Sequence, residues 1–176
     1  MNYFRQLNAI LTKPIFCVSL HKECCCDSSE LVCNSIQRAK KSVNACVYKF
    51  DSAFIFKALK EALGRNVSVT MIMDYKQNKN NVFVSQLIEL GADIKLWKIN
   101  ETLRAKFLII DSAHVLTGSY DLTMPTDNFP TLHNVDLIIS LYDDDAIEKF
   151  THIFNDMTKI LACPTCVTHN NHSNGE

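Results

Sequence analysis

Between Ser42 and Lys98 the apolar residues switch back and forth between two periods, and few architectures accommodate such a chain. Val43, Ala45 and Val47 recur every second residue, as on one side of a strand covering Ser42 to Tyr48. Phe54, Ile55, Ala58, Leu59, Ala62 and Leu63 then form a helical stripe behind a cap at Asp51 or Ser52, with Gly64 as its stop. Val67 to Met73 is a run rich in branched residues that ends at Asp74; Asn81 to Leu90 is helical up to Gly91, and Asp93 to Lys98 is a short strand. Upstream, Ile15 to Leu20 reads as a strand. It precedes a helix capped at Asp27, Ser28 or Ser29, with Leu31, Val32, Ile36 and Ala39 as its stripe and Arg38, Lys40 and Lys41 at its cationic end. This βαβαβαβ rhythm predicts an α/β fold: a mixed, mostly parallel sheet flanked by helices on both faces.

The second half changes character. Lys106 to Asp111 and His114 to Thr117 are apolar runs joined through Ser112 and Ala113, as in a hairpin, and Val135 to Leu141 is a further strand. Asp143, Asp144 and Asp145 open a helix carrying Ile147, Phe150, Ile153, Phe154 and Met157; their carboxylates suit a helix start better than a metal site. No internal repeat interrupts the pattern. It therefore predicts one domain over 15–161, an arm over 1–14 ending at Pro14, and a polar tail over 162–176.

Apolar residues at 47% supply a core, and 18 basic against 19 acidic residues exclude binding to nucleic acid by bulk charge while leaving room for a local basic patch. No apolar run reaches the ~20 residues that cross a bilayer, and the first residues lack the pattern of a secretory signal. Eight cysteines are then expected to be reduced, in an intracellular compartment, with Cys33 and Cys46 as small buried hydrophobes.

The chemistry concentrates in Arg104-Ala-Lys106-Phe-Leu-Ile-Ile-Asp111, followed after six residues by Gly118-Ser119-Tyr-Asp121. A strand turns Arg104 and Lys106 to one side, and the returning strand ends in a glycine and a hydroxyl. Two cations and a hydroxyl converging at a sheet edge make an anion site suited to phosphate; the plainer reading is a hairpin with a solvated, charged end.

This stretch resembles the active-site motif of the phospholipase D superfamily, HxKxxxxD followed by six residues and GSxN. It is most similar to the single-motif branch that includes Zucchini-like mitochondrial cardiolipin hydrolases and bacterial endonucleases. The resemblance extends from Ile15 to Met157 and includes the strand ending at Asp74-Tyr75 and the segment Asn134-Val135-Asp-Leu-Ile-Ile. It implies a histidine nucleophile that attacks phosphorus, a second copy's histidine that protonates the leaving group, and a lysine and GSxN groups that hold the phosphoryl oxygens. It also implies a homodimer with both motifs at the interface, no catalytic cofactor, and a location in the cytoplasm or on the cytosolic face of mitochondria.

Three positions depart from that pattern. Arg104 stands in the nucleophile's place, Asp121 replaces the asparagine, and His133 replaces a glutamate. A guanidinium stays protonated and has no lone pair to attack phosphorus. The expectation is therefore a fold that has lost phosphodiesterase activity and keeps Arg104, Lys106 and Ser119 as an anion pocket for single-stranded nucleic acid or an anionic phospholipid. Asp121 either borders that pocket or fills it by pairing with Arg104 or Lys106. The alternative is an active phosphodiesterase that uses Lys106, Asp111 and Ser119 with His133, or with a histidine from a partner chain in a heterodimer. His114 is expected to be a surface or hydrogen-bonded histidine.

Two cysteine-histidine clusters have zinc-ligand character: Cys17, His21, Cys24 and Cys26, next to Cys25, and Cys163, Cys166, His169 and His172. The first coincides with a zinc-binding insertion that the resemblance implies at about 17–26, although the ligand order differs. A reduced cysteine-rich loop or lipid attachment at adjacent thiols also fits.

Overall fold

A computed structural model describes residues 15–19 (backbone only), 28–99, 101–123 and 136–163. Seven strands, β1 (Ile15–Ser19), β2 (Ser42–Val47), β3 (Ser68–Asp74), β4 (Asp93–Trp97), β5 (Phe107–Ile110), β6 (His114–Gly118) and β7 (Asp136–Leu141), form one sheet in the order β1-β7-β6-β5-β2-β3-β4. The helices are α1 (Ser28–Arg38), α2 (Ala53–Gly64), the single turn α3 (Tyr75–Asn78), α4 (Val82–Glu89) and α5 (Asp144–Ala162).

The sheet is mixed, with helices on both faces, but it is not mostly parallel. Among the described strands only β2–β3 and β3–β4 pair in parallel; β2–β5, β5–β6, β6–β7 and β1–β7 are antiparallel. Parallel neighbours need a crossover of a dozen or more residues, and only the helices between β2 and β4 supply one between adjacent strands. Past β4, the turn of three residues between β5 and β6 forces these two strands to pair antiparallel. β1 does not head the parallel series; it lies at the far edge, against β7.

The two apolar patterns become two layers. Val43, Ala45 and Val47 of β2, Val69, Met71 and Met73 of β3 and Leu108 and Ile110 of β5 face a layer formed by α1, α2 and α4. The alternate residues Cys46, Ile72, Phe107, Ile109 and Val115 meet Ile147 and Phe154 of α5 on the other face. Cys46 is fully buried, and desolvation pushes its thiol up to about 12, as suits a packing residue.

The helix starts follow side-chain capping. Ser52 accepts from the Ile55 amide, Asn81 from Phe83 and Val84, and Asp143 from Ala146. Of the two candidate caps for α2, Ser52 performs the role. Gly64 lies inside α2, and Asn66, with φ 63°, takes the left-handed position that ends it.

Candidate functional site

The site lies beyond the carboxyl ends of β2 and β3, the edge at which open α/β sheets bind ligands. Two buried polar residues organise this edge. Asp74 ends β3, caps α3 through the Gln77 amide at 3.1 Å, and accepts from the Leu103 amide at 3.2 Å. Asn78 is 1% exposed and donates to the carbonyls of Tyr48 and Asp74 at 2.8 Å each, while its oxygen accepts from the Phe50 amide at 3.0 Å. The loop after β2 is stitched to the segment after β6, because the Asp51 and Ser52 amides both donate to the Leu122 carbonyl.

Leu103, Ala105 and Phe107 pack into the α5 layer, whereas Lys106, just before β5, lies with Val47, Leu108 and Leu116 on the opposite side. Lys106 is half-buried. Its ammonium donates to Asp121 Oδ2 at 2.7 Å and to the Ser119 carbonyl at 2.8 Å. Of the two pairings open to Asp121 in the sequence, the structure selects Lys106. The second carboxylate oxygen of Asp121 is buried and accepts no hydrogen bond, so the carboxylate is held through one oxygen. Arg104 is exposed and forms no ion pair among the described residues.

Ser119 is engaged as well. Its hydroxyl donates to Asp136 Oδ1 at 3.0 Å and accepts from the Leu137 amide at 3.0 Å. Gly118 brings the two strands this close: a Cβ there would lie 1.8 Å from the Leu137 carbonyl oxygen. Asp136 is a site residue that sequence reasoning missed; the available signal was a carboxylate opening an otherwise apolar strand. Nothing in the sequence marks Asn78.

Asp111 does not belong to this constellation. The four residues of β5 separate it from Lys106, five rises or roughly 16 Å at ~3.3 Å each. At the opposite edge of the sheet its carboxylate accepts from the amides of Lys40 at 2.9 Å, Lys41 at 2.7 Å and Ser42 at 2.9 Å. Burial alone would raise its pKa, but the Ser42, Lys40 and Lys41 amides and the Lys41 charge together bring it below the ordinary carboxylate value. Asp111 and Ser112 have φ values of 55° and 53°, the positive pair that a tight hairpin turn demands. Asp111 is thus a structural clasp.

His114 is a hydrogen-bonded histidine: Nε2 lies 3.0 Å from Ser140 Oγ, the ring stacks on Tyr142 at 4.4 Å, and burial lowers its pKa. His133 lies outside the described residues, as do His21, Cys24, Cys26, Cys166, His169, His172, the arm over 1–14 and the tail beyond Cys163; of Cys17 only the backbone is described. Among the described residues no cluster of His, Cys, Asp and Glu could hold a metal ion, and no helix is long and apolar enough to cross a membrane.

The fold has known counterparts. It superposes on the phospholipase D family member Nuc from Salmonella typhimurium with a TM-score of 0.68 at 23% identity, covering 82% of this chain and 93% of that one. NucT from Helicobacter pylori gives a TM-score of 0.68 at 20% identity, covering 84% and 97%. In sequence, the chain is 30% identical over 125 residues to a phospholipase D of Rickettsia felis and 29% identical over 125 residues to that of Rickettsia conorii. Each alignment covers 69% of this chain, and the chain spans 60% of the length of these relatives. Residues 32–158 match the family model described as "Cardiolipin synthase, PLD-like domain". With most of its length under that model, and with Lys106, Gly118 and Ser119 meeting at one sheet edge, the chain belongs to the phospholipase-D-like domain family.

Proposed function

We propose that this chain has lost phosphodiesterase activity and serves as a phosphate-binding scaffold, for a nucleic-acid backbone or a phospholipid head group. One observation carries the reading: Lys106, which a phosphoryl oxygen would need, is closed onto Asp121 at 2.7 Å. Arg104 at the nucleophile's position supports it, because a guanidinium can neither attack phosphorus nor pass a proton to a leaving group. One motif per chain supports a homodimer with the two sites facing each other. A heterodimer with an active relative, which would supply the missing imidazole, is the other assembly. Eight cysteines suit a reducing compartment, in the cytoplasm or on the cytosolic face of mitochondria.

The test is direct. Purified protein should leave single-stranded RNA, single-stranded DNA and cardiolipin uncut, and the double variant Arg104→His, Asp121→Asn should gain measurable hydrolysis. Turnover by the unaltered chain that survives Arg104→Ala and is lost with His133→Ala would overturn the inactive reading in favour of a relocated nucleophile. The zinc proposal for Cys17, His21, Cys24 and Cys26, and for Cys163, Cys166, His169 and His172, is decided by elemental analysis of protein purified without chelator. Metal-free protein would dismiss both clusters.

A further inference from the structure

We infer that the positive charge open to a polyanion lies not on Lys106 but farther along the same sheet edge, on Lys76, Lys79 and Lys98 around Tyr75, and that this platform takes the backbone of a single-stranded nucleic acid. The inference rests on the reading that the chain binds phosphate without cutting it. It moves the binding charge away from the motif.

At the motif, Lys106 already donates to two oxygens, and the Ser119 hydroxyl both donates and accepts. A phosphate arriving there must displace contacts that the chain makes with itself. Around Tyr75 the situation is reversed. The Lys98 ammonium sits 4.8 Å from the ring centroid and that of Lys79 sits 5.8 Å from it, so two cations from separate segments converge on one ring. Lys76, Lys79 and Lys98 are exposed, and none has a carboxylate within ion-pair distance among the described residues. Cations that converge on one ring and form no ion pair make a receptor for a polyanion, although Asp74 and Glu101 also line the cleft.

The cleft at this point favours a bare strand over a duplex or a lipid surface. It is lined by Tyr75, Lys76, Trp97 and Lys98 together with the carboxylates Asp74 and Glu101. Its two aromatic rings are partly open to solvent, where unpaired bases can reach them and duplexed bases cannot. None of the strongly exposed aliphatic side chains belongs to this cleft, whereas docking in a lipid interface relies on them. The Leu103 amide donates to Asp74, the residue before Tyr75, so the segment leading to Lys106 passes beside the platform.

Fluorescence anisotropy of the full chain with a labelled thymidine oligomer of about 15 nucleotides, across a salt series, tests this. The triple variant Lys76→Ala, Lys79→Ala, Lys98→Ala should weaken binding about tenfold or more and lower the salt slope by about 2, at ~0.7 per phosphate contact on a single strand. Tyr75→Ala should weaken it roughly fivefold or more, and Lys98→Glu should reproduce part of the loss with an unchanged melting profile. Lys106→Ala should cost less than about threefold, since that ammonium is already neutralised. If the triple variant binds normally while Lys106→Ala abolishes binding, the platform is refuted and the motif pocket stands. Binding to anionic vesicles that depends on the three lysines, without oligomer binding, replaces the strand by a lipid surface. Binding to neither probe overturns both readings.

Discussion

Lys106 and Asp121 close on each other across the end of the β5–β6 hairpin, with Nζ 2.7 Å from Oδ2 and the two side chains 23% and 21% exposed. The pair occupies the position where the family resemblance places an amide beside an open lysine. Asp121→Asn removes the charge yet leaves an oxygen that can accept. Relief of a partly screened pair worth ~1 kcal/mol should raise the affinity for inorganic phosphate about threefold to fivefold. Isothermal titration of the two proteins measures it, and equal affinities would mean that the pair does not close the pocket.

Gly118 tests the strand pairing that positions Ser119. A Cβ there would meet the Leu137 carbonyl oxygen at 1.8 Å, and a backbone atom in a paired strand cannot step aside. Gly118→Ala should destabilise the fold by about 3 kcal/mol or more, read as a lowered denaturation midpoint. A midpoint within error of the parent would show that β6 and β7 can separate freely.

Asn78 joins the ends of β2 and β3 through three hydrogen bonds. Asn78→Ala leaves the Tyr48 carbonyl and the Phe50 amide without that partner, a loss of about 3 kcal/mol at ~1–1.5 kcal/mol per bond. Asn78→Asp should also lose stability, because a carboxylate cannot donate to the two carbonyls. Urea denaturation of both variants provides the measurement.

Stability should fall in two steps on acidification. Burial holds His114 below its ordinary value of 6.5, so as pH drops through that value the unfolded chain takes up a proton that the fold resists. Asp111 lies below its ordinary 3.8, so the unfolded chain again protonates first and stability falls further as pH drops from there. Both steps have the same sign. Denaturation midpoints across pH should show the first step vanish in His114→Gln and the second shrink in Asp111→Asn. A profile unchanged by either variant would exclude these groups as its source.

Local patterns in the sequence were enough for the main elements and the layers, though not for the single turn α3. The alternation in β2, the stripe of α2 and the carboxylates opening α5 each reflect interactions within a few residues or with a single apolar face. Capping at Ser52 and Asp143 is legible for the same reason. The chemistry of Arg104 was equally legible, since the protonation of a guanidinium hardly depends on its surroundings.

Partnership between distant residues was decided only by the tertiary structure. Strand order depends on which edges meet, so the antiparallel half of the sheet and the place of β1 beside β7 followed from pairing that no local period records. Asp111 reads as part of the motif along the chain, yet strand rise carries it to the opposite edge, where the Lys40 to Ser42 amides claim it. Asp121 had two cations within reach, and the turn after β6 delivered it to one of them. A side chain's protonation chemistry is intrinsic and travels with the residue; its partner depends on long-range packing, which exists only once the sheet has closed.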